Sequence, residues 1–166
     1  MIPGTHLVKA DCPATPSLTL QRRYCSIIGS ISYLVQMTQC DMAFAYGQLS
    51  LFLHNPGPVH AAAERALACV RGTHDQGLLY CDPGAENRNV LTGWVDSDFA
   101  ADLDTRSSVT GYVMALNGAP ITWRRCRQGG VTLSSSEAEY VAASAVAQEN
   151  AYLCALFGKT MLHVFL

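Results

Sequence analysis

The chain has 166 residues, 49% hydrophobic and 14% charged, and a formal net charge of −2. That length allows one ordinary domain or two small ones, and the apolar content excludes a chain disordered by composition. The pI near 6.2 lacks the basic footprint that phosphate-backbone binding leaves, so nucleic-acid binding has to rest on a local site.

The seven cysteines are odd in number, irregularly spaced and without a CxxC pair, which argues against a disulfide framework and a zinc site. Residues 1–14 lack the apolar run of a signal peptide. The apolar stretches are broken well short of membrane-spanning length. An intracellular, cytoplasmic and reducing setting with no membrane partner is expected. The low charged fraction suits surfaces that face another part of a larger protein.

Residues 1–21 carry Pro3, Gly4, Pro13 and Pro16 and read as an extended linker. Over 24–35, Ile27, Ile28, Ile31, Leu34 and Val35 recur at helical spacing. A second helical pattern covers 41–53 through Met42, Ala45, Leu49, Phe52 and Leu53, with Asp41 as its N-cap. Pro56-Gly57-Pro58 breaks the chain, and an alanine-rich helix over 59–70 is stopped by Gly72. Residues 22–85 are assigned to a small helical subdomain.

The pattern changes after Gly72. Residues 77–81 are a short strand candidate, followed by the turn signal Asp82-Pro83-Gly84. Three strands are expected over 91–98, 110–116 and 119–123, the last two joined by a two-residue Asn117-Gly118 hairpin turn. A basic loop over 124–128 leads to a long helix over 135–157. Its apolar stripe is read as Ala138, Val141, Ala142, Ala145, Tyr152, Leu153 and Leu156.

Two places could carry chemistry. Strand alternation puts Asp96 and Asp98 on one face with Trp94. Carboxylates at a strand end can hold a hard cation such as Mg²⁺, or they can simply open a solvated turn. Farther on, Ser134 and Glu137 have capping-box spacing, and so do Ser136 and Glu139. If the first pair caps the helix, Glu139 needs another role. At 100° per residue it falls between Ala142 and Val146, leaning toward the sheet.

The wording of these segments resembles copia-type LTR retrotransposon Pol polyproteins. Leu91-Thr92-Gly93-Trp94-Val95-Asp96-Ser97-Asp98-Phe99-Ala100-Ala101-Asp102 is similar to the first strand of their ribonuclease H domain. Thr105-Arg106-Ser107-Ser108-Val109-Thr110-Gly111-Tyr112-Val113 resembles the second strand, Ile121-Thr122-Trp123 the third, and Leu133-Ser134-Ser135-Ser136-Glu137-Ala138-Glu139-Tyr140 the helix start. Upstream, Tyr24-Cys25-Ser26-Ile27-Ile28-Gly29-Ser30-Ile31-Ser32-Tyr33-Leu34, Asp41-Met42-Ala43-Phe44-Ala45 and His54-Asn55-Pro56 resemble the segment linking polymerase to nuclease.

The resemblance implies an α+β chain: a helical reverse-transcriptase connection, then a truncated ribonuclease H-like fold over 86–158 with three antiparallel strands and a long helix, then a divergent tail over 159–166. It implies Mg²⁺-dependent cleavage of RNA in RNA–DNA hybrids, with Asp96 and Glu139 as the matching catalytic and metal-binding carboxylates. Asp98 does not match a catalytic position. Arg124, Arg125 and Arg127 are candidate phosphate contacts, with a solvated basic loop as the alternative. The family's other two carboxylates have no counterpart in the tail. Weak or absent Mg²⁺ binding and no activity of the isolated chain are therefore expected. Cys25, Gln39-Cys40, Leu51, Glu64 and Ala68-Cys69 stand where the family usually has basic residues or proline. Expected partners are the RNA–DNA hybrid and the rest of the polyprotein, with self-association through an exposed edge of the first strand. The alternative is a non-catalytic, host-co-opted interaction module.

Overall fold

The computed structural model describes residues 7–57, 60–81, 84, 90–157 and 161–165. These fall into two compact units, Met1–Gly77 and Leu78–Leu166.

The first unit is helical. Helix α1 (Leu18–Met37) begins inside the segment read as linker, because Ser17 caps it and accepts a hydrogen bond from the Leu20 N–H at 3.4 Å. Pro13 and Pro16 lie just ahead of that cap, where proline does no harm to the helical ladder. The buried residues Tyr24, Ile28, Ile31 and Val35 lie along one stripe at spacings of three and four. They pack with Ala45 and Leu49 of α2 (Ala43–Ser50) and with Ala62, Ala63, Ala66 and Val70 of α3 (His60–Gly72). Tyr24 is fully buried, and its hydroxyl donates to the Leu49 carbonyl at 2.7 Å. Asp41 does not cap α2. It sits in a 3-10 turn, Cys40–Met42, and Met42 occupies the cap position without a side-chain bond. Val59, the expected start of the third helix, lies outside the described residues.

The second unit contains β1 (Val90–Asp98), β2 (Val109–Leu116), β3 (Ala119–Arg127), α4 (Ser135–Phe157) and β4 (Met161–Phe165). The α+β class, with three antiparallel strands followed by a long helix, is as expected. The sheet order is β3-β2-β1-β4. Asn117 and Gly118 have φ of 54° and 82°, the pair of left-handed residues that a type I′ hairpin turn requires. Asn117 also accepts from the Val90 N–H through its side chain, at 3.0 Å.

Four expectations need correction. Residues 77–81 form no strand; instead the Tyr80 hydroxyl donates to the Pro120 carbonyl at 2.8 Å. Asp82 and Pro83 of the expected turn lie outside the described residues. The basic loop is not a loop, since β3 runs through Arg127 in register with β2. The tail supplies β4, which pairs in parallel with β1 from Val90↔Met161 to Trp94↔Phe165, so β1 is an inner strand there rather than an edge. Fourth, α4 is turned from the expected stripe: Ala138, Ala142, Val146 and Leu153 are buried, while Val141, Tyr152 and Leu156 are exposed. The helix is apolar nearly all round, so periodicity could not fix its buried face. A Cβ on Gly93 would lie 2.6 Å from Met114 Sδ, so the glycine leaves room for the Met114 side chain beside Val146 of α4.

Candidate functional site

Strand β1 alternates. Leu91, Gly93 and Val95 are buried, and Leu91 and Val95 share a core with Tyr112, Met114, Ala142, Val146 and Leu153. Trp94, Asp96 and Asp98 are exposed and belong to the opposite face, away from α4. Across the sheet, Asp96 is level with Gly111 and then Arg125, and Asp98 with Val109 and then Arg127.

The start of α4 is fixed by two devices. The Glu137 N–H donates to Ser134 Oγ at 3.1 Å, and the Glu137 carboxylate accepts from the Leu133 N–H at 2.6 Å. The box is therefore built on Ser134 and Glu137, and Glu139 is left out of it. Glu139 is half-buried one turn into the helix.

The second device was not read from the sequence. Buried Gln128 donates through Nε2 to Thr110 Oγ1 at 3.0 Å and to the Ala138 carbonyl at 2.9 Å. Buried Ser108 bonds Thr132 through their hydroxyls at 2.6 Å and accepts from the Ala100 N–H at 3.1 Å. These bonds tie the exit of β1, the start of β2 and the end of β3 to the first turns of α4. The available signal was the polar run Thr105-Arg106-Ser107-Ser108 opening directly into a strand.

Because Thr110 is the cross-strand neighbour of Ser97, the same bonds place the first turns of α4 over the C-terminal end of β1. Asp96 and Glu139 thus reach one end of the sheet from its two faces. Among the described residues, no group of three or more His, Cys, Asp or Glu side chains is gathered to hold a metal ion. A carboxylate on each face without a third donor does not make up a centre for two divalent ions, which need several oxygen ligands to offset their mutual repulsion.

The three arginines are divided by strand alternation. Arg124 lies on the α4 face beside Tyr112, and Arg125 and Arg127 on the face of Asp96 and Asp98. The Tyr112 hydroxyl is raised above its ordinary pKa by burial and by Glu149, with Arg124 opposing. Burial lowers Arg125, while Asp102 and Asp98 pull it back up. Arg127 is ion-paired to Asp102 at 2.9 Å. Asp102, which burial alone would raise, is held below the usual carboxylate range by Arg127 and by bonds from Thr105 and Asp104. Arg125 and Arg127 therefore each have a carboxylate close by, which reduces what they can offer a phosphate.

No family model and no solved structure match the chain. Curated proteins do. It is 38% identical over 161 residues to a retrovirus-related Pol polyprotein from transposon TNT 1-94 of Nicotiana tabacum, covering 95% of this chain and 12% of that one. It is 34% identical over 158 residues to the corresponding polyprotein from transposon RE2 of Arabidopsis thaliana, covering 90% and 11%. It is also 40% identical over 131 residues to secreted RxLR effector protein 161 of Plasmopara viticola, covering 78% of this chain and 90% of that protein. The chain belongs to the copia-type retrotransposon Pol family.

It spans about a tenth of these Pol polyproteins and nearly the whole length of the effector. Of the positions where the resemblance leads one to expect basic residues or proline, Cys25, Leu51, Glu64, Ala68 and Cys69 are exposed on the helical unit, whereas Gln39 is buried and Cys40 half-buried. Glu64 now pairs with Arg23 at 2.7 Å. Among the described residues no helix is long and apolar enough to cross a membrane.

Proposed function

We propose that this Pol segment is the junction between reverse transcriptase and ribonuclease H. Joined to the rest of the polyprotein, it supplies Asp96 and Glu139 to a Mg²⁺-dependent centre that cleaves RNA in RNA–DNA hybrids; alone, it does not cleave. The observation that carries this reading is the sheet order β3-β2-β1-β4 with the Asp96 strand inside it, followed by a helix whose first turns bring Glu139 to the same end of the sheet. With two carboxylates on two faces, Mg²⁺ binding by the isolated chain is weak or absent. Arg124, Arg125 and Arg127 are the candidate phosphate contacts, and Arg125 and Arg127 reach a phosphate only by exchanging carboxylate partners. Edge-to-edge self-association, if the chain uses it, runs through β4 rather than β1.

Cleavage of a labelled RNA strand in a hybrid tests the reading. The isolated chain gives no Mg²⁺-dependent fragments, whereas a chimera extended with the downstream residues of the tobacco relative does, and Asp96→Asn or Glu139→Gln abolishes that cleavage. A chimera whose cleavage survives Asp96→Asn refutes the site. Cleavage by the isolated chain, lost in Asp96→Asn, refutes its inactivity.

A second reading has its own support. A stretch equivalent to most of this chain makes up 90% of a protein named as a secreted effector, which supports, as the alternative, a non-catalytic, host-co-opted interaction module. Secretion of a tagged copy from its host cell, with no hybrid cleavage by the chimera, favours this alternative.

A further inference from the structure

Buried polar side chains are unevenly placed in the second unit. Among its described residues they are Ser107, Ser108, Thr110, Gln128 and Thr132, and all of them lie where β2 opens, β3 ends and α4 begins. The rest of the contact between α4 and the sheet is apolar, with Leu91, Met114, Ala142 and Val146 at its centre. Apolar packing could have closed the junction as well, since replacing both partners of a buried hydrogen bond by apolar groups of the same shape is nearly neutral in stability. What hydrogen bonds add is direction: a satisfied buried network specifies one arrangement.

Gln128 carries that direction toward the two acids. Its amide nitrogen has two hydrogens, and both are engaged, one by Thr110 Oγ1 at 3.0 Å and one by the Ala138 carbonyl at 2.9 Å. Thr110 stands opposite Ser97, the residue that follows Asp96. The Ala138 carbonyl belongs to the rigid peptide unit whose nitrogen is that of Glu139. One buried side chain therefore links the strand pair that carries Asp96 to the backbone that carries Glu139, and with both donors taken it bonds neither carboxylate.

We infer that Gln128 is a positioning residue: through Thr110 and the peptide between Ala138 and Glu139 it fixes the rotation of α4, and so where Glu139 stands relative to Asp96. The catalytic consequence rests on the nuclease reading; the structural consequence rests on the hydrogen bonds alone. Groups that orient a metal's carboxylate ligands without touching the metal typically change metal affinity or activity about 10–100-fold, and that is the effect Gln128 should show.

Two measurements test it. In the full chain, hydrogen exchange of amides 138–142 of α4 reads the clamp. Gln128→Met, which keeps the length but donates nothing, and Thr110→Val should each speed exchange there about tenfold, whereas Thr110→Ser, which keeps the hydroxyl, should not. In the chimera carrying the tobacco extension, Gln128→Met and Thr110→Val should raise the Mg²⁺ concentration for half-maximal hybrid cleavage about 10–100-fold with the KM for the hybrid unchanged, and Thr110→Ser should keep the parent's requirement. Met114→Ala, which weakens the same core four residues along β2 from Thr110, is the structural control and should leave the Mg²⁺ requirement unmoved. Unchanged exchange in Gln128→Met overturns the proposal whether or not the chimera cleaves. Faster exchange with an unmoved Mg²⁺ requirement also overturns it and leaves Gln128 a fastener of the helix. A parent chimera that does not cleave refutes the nuclease reading instead, and the exchange measurement still decides whether Gln128 fixes α4.

Discussion

The two units solve the same problem differently. In the helical unit, three helices turn their apolar stripes toward one another, and Tyr24, Ile31, Leu49 and Ala63 are fully buried. In the sheet unit a single helix covers one face, and Trp94, Tyr140, Tyr152 and Leu156 remain in solvent. Helices α1 and α3 each turn one apolar side toward a partner inside the unit, although Tyr33, Met37 and Phe44 of the same unit are exposed. Helix α4 has more apolar surface than the sheet can use. The difference is in the core: the helical unit buries side chains contributed by three helices, the sheet unit those between one helix and one sheet face.

The largest effects come from emptying each core. Met114→Ala in the sheet unit and Leu49→Ala in the helical unit each remove a fully buried side chain, and each should cost ~2–5 kcal/mol. Both tryptophans, Trp94 and Trp123, belong to the sheet unit, so fluorescence-detected urea unfolding reads the first change, and hydrogen exchange along α1 reads the second. If the contrast drawn above is right, Met114→Ala falls at the lower end, because a one-sided core can collapse toward the vacated space more easily than a closed one. Equal losses would argue that α4 and the sheet are as tightly closed as the helical unit.

The next effect concerns the helix start, where the sequence offered two capping pairs. Ser134→Ala removes the hydroxyl that accepts from Glu137 N–H and should cost ~1 kcal/mol, whereas Ser136→Ala should cost little. Matched urea titrations of the two variants separate the two capping boxes that the sequence left open. If Ser136→Ala is the costlier, the placement of Glu139 outside the cap is wrong.

What could be read from the sequence was local. The Asn117-Gly118 turn, the β1 alternation that sets Asp96 beside Trp94, and the capping residues each announce themselves within four positions. What could not be read depended on distant partners. Arg124, Arg125 and Arg127 looked like loop because three arginines rarely pack; Asp102, many residues earlier, is what makes a strand tolerable there. The buried face of α4 depends on its packing against Leu91, Tyr112 and Met114 of the sheet, and the role of residues 161–165 on the open flank of β1. Gln128 gave no local hint, since its partners Thr110 and Ala138 lie 18 and 10 residues away.

The smallest effects distinguish the two ion pairs. Arg23 and Glu64 bridge α1 and α3 with side chains 68% and 46% exposed, so Arg23→Ala should cost no more than ~0.2–1 kcal/mol, and less in high salt. Asp102 is different: its side chain is 9% exposed and also accepts from the N–H groups of Asp104 and Thr105. Its carboxyl titrates below the ordinary range when folded, so the unfolded chain takes up the proton first as pH falls. The resulting stabilisation is complete above the unfolded carboxylate pKa of about 3.9 and is lost as pH drops through that value and below. Acid titration of tryptophan fluorescence should therefore show the sheet unit losing stability below about pH 4. Asp102→Asn should flatten that limb, while Arg23→Ala leaves it unchanged. An acid limb that persists in Asp102→Asn would place the acid-sensitive contact elsewhere in the sheet and remove the reason for treating the Arg127 pair as more than a surface contact.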